Sequence, residues 1–173
     1  MKPEHFRLRY YGDPVLRQRA REITTVDDLR KKQAERMFEI MYEYEGIGLA
    51  ANQVGLLERL VVLDVPLDDE QRAVLVLINP KILKKTGKET GEEGCLSIPD
   101  VRADVPRALQ LTVQAQDLGG QVFEFECDGL LARAVQHEVD HLDGVLFVDK
   151  VNVVRRKLLE GRLREIAEEF ADG

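Results

Sequence analysis

The chain has 173 residues, a formal net charge of -7, 44% hydrophobic and 33% charged residues, three histidines and two cysteines. That length favours a single domain spanning residues 1–173, and the apolar content supports a core and excludes a disordered chain. Two cysteines cannot build a disulfide framework, and the charged N-terminus lacks the apolar run of a signal peptide. No stretch reaches the roughly 18 unbroken apolar residues that span a bilayer, so a soluble, cytoplasmic protein without membrane partners is expected. The acidic balance argues against a broad basic surface and against direct recognition of a nucleic-acid sequence.

In chain order, Leu29, Met37, Ile40, Met41 and Tyr44 recur at helical spacing, predicting an amphipathic helix from about Thr25 to Glu45 with Gly46 as its stop. Val- and Leu-rich runs predict strands over Arg59 to Val65 and Ala73 to Ile78. Alternation through Leu109, Leu111, Val113 and Ala115, then Gly119-Gly120, then Val122 to Cys127, predicts a β-hairpin. Asp128 is placed to cap a helix starting near Gly129-Leu130 and ending at Gly144. A charged helix is expected from about Val153 to Phe170. The class is α+β: antiparallel strands around a central helix, the one carrying His137 and His141, with an N-terminal and a C-terminal helix.

Residues 137 to 141 read HEVDH. Positions four apart share a helix face, so His137 and His141 can offer imidazoles to one ion, while Glu138, rotated by about 100°, suits a proton acceptor better than a ligand. A catalytic metal keeps about three protein ligands and an open position. Extended zinc-protease motifs put a histidine at position 147, where this chain has Phe147. Glu160 lies at the spacing of another protease class, and Cys95, in Glu93-Gly94-Cys95-Leu96-Ser97, is the stronger third ligand. Cys95, Cys127, His137 and His141 could instead close a structural zinc site, although Cys127 shares a strand face with Phe123 and Phe125 and suits packing there. His5 is expected at the surface. The run Gly46-Ile47-Gly48-Leu49-Ala50-Ala51-Asn52-Gln53 offers flexible backbone for close approach of a substrate and one side-chain amide, Gln53.

Together GIGLAANQ (46–53), EGCLS (93–97) and QHEVDH (136–141) resemble the motifs GxGLAxQ, EGCLS and QHExDH of the peptide deformylases, and the resemblance covers nearly the whole chain. It implies that Cys95, His137 and His141 bind a divalent metal, that Glu138 is the general acid/base, and that Gln53 and the Leu96 N–H form an oxyanion site. It further implies N-formylmethionyl nascent peptides as substrate, with Gly46, Ile47, Gly48, Glu93, Arg102 and Leu130 near the methionine pocket or peptide groove. The ion it implies is Fe2+ in the cell, with Zn2+, Ni2+ or Co2+ tolerated. For Arg102 a surface ion pair and for Leu130 a core position are the plain alternatives. The C-terminal helix reads first as a solvated helix with internal charge pairs, and the resemblance adds ribosome docking as a sharper alternative.

Overall fold

The computed structural model describes residues 1–171. Three α-helices and seven strands are arranged as a mixed α+β fold: α1 (Asp28–Glu43), β1 (Gly48–Ala50), β2 (Leu60–Pro66), β3 (Arg72–Thr86), β4 (Glu89–Cys95), β5 (Ile98–Arg107), β6 (Gln110–Gln116), β7 (Val122–Asp128), α2 (Gly129–Leu142) and α3 (Val153–Glu169). A five-stranded sheet runs in the order β1-β2-β3-β6-β7, and β4 and β5 pair separately. Pairing between named strands is antiparallel throughout.

β2 explains the layering. Its Leu-Val-Val-Leu-Asp-Val run is buried on both faces. Leu60 and Val62 join the cluster of Met37, Ile40 and Met41 from α1, while Val61, Leu63 and Val65 join Leu131, Val135 and Leu142 from α2. Alternation along one strand therefore serves two helices on opposite faces of the sheet. A third cluster sets Val101, Ala103 and Val105 of β5 against Leu159, Leu163 and Ile166 of α3.

Several boundaries differ from the sequence expectations. α1 starts at Asp28, because the Asp27 carboxylate accepts from the Arg30 N–H and closes the first turn there. Leu29 and Tyr44, expected on its apolar face, are exposed. Glu45, not Gly46, takes the left-handed backbone position at φ 56°. Gly46 is needed for another reason: a Cβ there would stand 2.7 Å from Leu96 Cδ1. β3 runs on to Thr86 through two register shifts around Pro80 and Leu83. Asp128 occupies the position before α2, but its side chain makes no capping hydrogen bond. The segment expected to be flexible backbone contains β1, hydrogen-bonded along β2. The β4–β5 hairpin was not expected: β4 is glycine-rich and charged, and Pro99 and Pro106 interrupt β5. The buried alternation of Val101, Ala103 and Val105 was its available signal.

Gly144 ends α2 as expected, at φ 75°, and an added Cβ would meet the Arg17 carbonyl oxygen at 2.6 Å. Gly161, within α3, has no atom within 4 Å of such a Cβ. Gly144→Ala is therefore expected to destabilise the fold by about 1–3 kcal/mol. Gly161→Ala is expected to stabilise it by about 1 kcal/mol. Thermal melts at fixed metal content check the opposite signs, at about 2–4 °C per kcal/mol for a chain of this size.

Candidate metal centre

α2 carries both histidines on its buried side because Leu131, Ala134, Val135 and Leu142 turn the helix into the sheet. Gln136 fixes its roll: the amide accepts from the Ala108 N–H at 2.9 Å and donates to the Ala108 carbonyl at 3.0 Å. Cys95 arrives from the end of β4, just before the Leu96-Ser97 turn. His141 Nε2 lies 3.2 Å from both Cys95 Sγ and His137 Nε2. Among the described residues, Cys95, His137 and His141 form the group whose donor atoms fall within 4.8 Å of one another. Cys127 and Glu160 are outside it. Cys127 packs beside Phe123 and Phe125, where burial pushes its thiol up to about 11, and Glu160 is exposed on α3.

The donor set fits a cation. Two nitrogens held tetrahedrally at about 2.0–2.1 Å from a metal stand about 3.3 Å apart, close to the spacing seen here. Glu93 Oε2 lies 3.0 Å from His137 Nδ1. With that nitrogen carrying the proton, the Nε2 lone pair faces the centre. Burial opposes charge on His137, yet its hydrogen bonds to Cys95 and Glu93 outweigh burial and raise its pKa well above the usual value. Burial and the neighbouring His137 charge push His141 well below its usual value.

Glu93, expected near the methionine pocket or peptide groove, is buried behind His137. It is 5% exposed, and both of its oxygens are occupied. Arg107 grips it in a two-pronged ion pair at 2.7 and 2.9 Å. Burial alone would raise its pKa, but the hydrogen bonds from Arg107 and His137 bring it down to about 2. Arg107 also bonds Asp140 on α2. Sequence reading missed Arg107 and Arg133, since nothing local marks a basic residue as the partner of a distant carboxylate.

Glu138 lies beside the donor atoms. Its Oε2 is buried without a partner among the described residues, and burial pushes its pKa up to about 7. A Cβ on Gly48 would stand 2.7 Å from Glu138 Oε1, so a bare backbone on β1 makes room for the carboxylate. Gln53 Oε1 accepts from the Ala50 N–H at 2.9 Å, which turns the amide nitrogen toward Ser97 Oγ at 3.0 Å and Cys95 Sγ at 3.5 Å. Ile47 is half-buried against the cluster that lines α2. Leu130 is exposed and not in the core, and Arg102 lies at the surface 3.4 Å from Glu92. His5 is exposed.

Glu93→Ala leaves buried Arg107 with the Asp140 carboxylate alone as counter-charge and is expected to cost about 3–5 kcal/mol in urea unfolding. It is also expected to weaken Zn2+ binding by about 10–100-fold, read by competition with a chromophoric chelator.

The family model described as Polypeptide deformylase matches residues 6–157. The chain is 46% identical over 156 residues to the peptide deformylase of Acidobacterium capsulatum, covering 90% of this chain and 92% of that protein. A crystal structure of the Thermus thermophilus peptide deformylase superposes with a TM-score of 0.88 at 41% identity, covering 95% of this chain and 98% of that one. The Plasmodium falciparum enzyme gives a TM-score of 0.89 at 35% identity, covering 95% and 97%.

Proposed function

The chain belongs to the peptide deformylase family, and on that premise we propose that it removes the formyl group from the formylmethionyl terminus of newly made polypeptides, releasing formate. The observation that supports the mechanism is Glu138 Oε2, buried beside three convergent donor atoms without a hydrogen-bond partner among the described residues. A divalent ion on Cys95, His137 and His141, in our reading Fe2+ in the cell, supplies Lewis acidity that lowers the pKa of water and polarises a carbonyl oxygen.

Glu138 takes a proton from the water that attacks the formyl carbon and returns one to the departing amine. A carboxylate whose pKa lies near 7 can work in both directions at neutral pH. Gln53 and the Leu96 N–H donate to the formyl oxygen as negative charge gathers there. Donors already aimed favour the developing charge over the planar amide. The bond from Ala50 supports this role, because it keeps the Gln53 oxygen turned away. The edge position of β1 supports binding of the peptide as an added strand along Gly46, Ile47 and Gly48. Exposed Leu130 supports an apolar contact for methionine, whereas the Arg102–Glu92 pair leaves Arg102 at the groove margin.

Among the described residues no helix is long and apolar enough to cross a membrane. On α3, Arg156 pairs with Asp149 and Arg162 with Glu165 and Asp100, which supports the solvated-helix reading over ribosome docking. Reversing the charge of exposed Lys157 and Arg164 is then expected to leave ribosome cosedimentation unchanged, and a loss of cosedimentation would favour docking.

Formate release from formyl-Met-Ala is expected to fall by about 100–10,000-fold in Glu138→Ala, with fold and metal content retained. Equal rates in the two proteins would remove Glu138 from the mechanism. Cys95→Ala is expected to lose the metal and Glu160→Ala to keep it, as metal analysis of the anaerobically purified proteins would show. That analysis also tests iron as the resident ion: a fully active, iron-free zinc enzyme from the native host would contradict it.

A further inference from the structure

We propose that Arg133 is a positioning residue: it clips the hairpin that carries Cys95 onto the helix that carries His137 and His141, and so presets the distance between the three donor atoms. The proposal rests on the reading of those three residues as metal ligands.

Arg133 lies one turn before His137 on α2, with its side chain 12% exposed. Its Nη1 donates to the Val105 carbonyl at 2.8 Å, to Glu93 Oε1 at 3.1 Å and to the Gly91 carbonyl at 3.3 Å, and its Nη2 donates to the Glu89 carbonyl at 3.2 Å. One guanidinium thus gathers three main-chain oxygens from β4 and β5 together with the carboxylate behind His137. A planar, five-donor group can do this, and an ammonium cannot span the same acceptors.

The hairpin needs such a tie. β4 and β5 form a two-stranded sheet separate from the five-stranded one, and a two-stranded ribbon has little stability of its own. Cys95 is the last residue of β4, so drift of the ribbon relative to α2 would carry the sulfur away from the imidazoles. α3 supports β5 from the side of Val101, Ala103 and Val105. Arg133 ties the ribbon to α2 itself.

The contribution of Arg133 is separable from charge balance. Arg107 alone already holds both oxygens of Glu93, so removing Arg133 leaves the Arg107–Glu93–His137 chain intact. What is lost is its own bond to Glu93 Oε1 and the set of bonds to main-chain carbonyls. Gly91 is fitted to the same contact: an added Cβ would stand 3.0 Å from Arg133 Nη2. Gly91→Ala therefore pushes on the clip from the opposite side without altering any charge.

The test uses the full-length chain, competing Zn2+ against a chromophoric chelator and following hydrogen exchange with and without Zn2+. Arg133→Met is expected to raise the Zn2+ Kd by about 10–100-fold, with Arg133→Lys between it and the parent. Amides of residues 89–107 are expected to exchange faster in the variant while those of β2 and β3 do not change, and the thiolate-to-metal absorption of the Co2+ form is expected to shift. An unchanged Zn2+ Kd in Arg133→Met, or exchange accelerated equally throughout the molecule, overturns the proposal. Should Arg133→Met not fold, Gly91→Ala decides by the same readings, with a smaller rise expected. Parent protein that binds no Zn2+ overturns the metal-site reading itself, and that result is distinct from a parent and a variant that bind equally well.

Discussion

The ion pair between Glu93 and Arg107 is the constraint on which the site depends. Both side chains are almost fully withdrawn from water, so each depends heavily on the other for its counter-charge. Burying two charges is costly, and a well-packed apolar pair could stabilise this region as well or better. The pair is explained by what it orders: Glu93 holds the outer nitrogen of His137, and Arg107 reaches on to Asp140 two positions before the end of α2. One interaction thus links β4, β5 and the face of α2 that presents the imidazoles. Lys150 also approaches Asp140, at 3.3 Å, which brings the segment after α2 to the same network.

A second set of constraints arrives from the N-terminal segment. The Arg9 N–H donates to the Gln53 carbonyl at 2.7 Å and the Tyr11 N–H to the Ser97 carbonyl at 2.8 Å. The two residues whose side chains meet beside Cys95 are thus spaced by the backbone of a third segment. Asn52 adds a bond from its amide to the His141 carbonyl, tying the turn after β1 to the last turn of α2. Gly12 packs so closely on Ala167 that a Cβ would lie 2.8 Å away, and Tyr10 stacks on Phe170 at 3.7 Å. Through these contacts α3 helps to seat the segment that spaces the site.

The sequence disclosed those parts of the site whose chemistry is local. His137 and His141 are one helical turn apart and Glu138 is adjacent, so their common location follows from helix geometry alone. Cys95 required the family resemblance to rank it firmly above Cys127 and Glu160. Arg107 and Arg133 carried no signal, because their partners lie 14 to 44 residues away and only the folded chain brings them together. Glu93 shows the same limit from the other side: its motif marked it for the site but could not tell a groove from a buried support. In the fold, β2, β6, β7 and α2 followed clear periodicities. β4 and β5 did not, since a ribbon held by an arginine and one face of α3 needs few apolar residues of its own.

The bond between Asn52 and the His141 carbonyl joins residues 89 positions apart, and the contact between Cys95 and His141 joins residues 46 apart. No stretch of chain shorter than that from Gln53 to His141 contains every group assigned to the reaction. An emerging polypeptide of this sequence therefore has no fragment of the centre that could work early, and activity appears only after α2 has closed onto both sheets. Because loop-closure entropy delays such distant contacts, an ion held as proposed by Cys95, His137 and His141 would be captured only as folding completes. An ion that binds the closed form and not the open chain then acts as a latch, deepening the native basin in proportion to the logarithm of its free concentration.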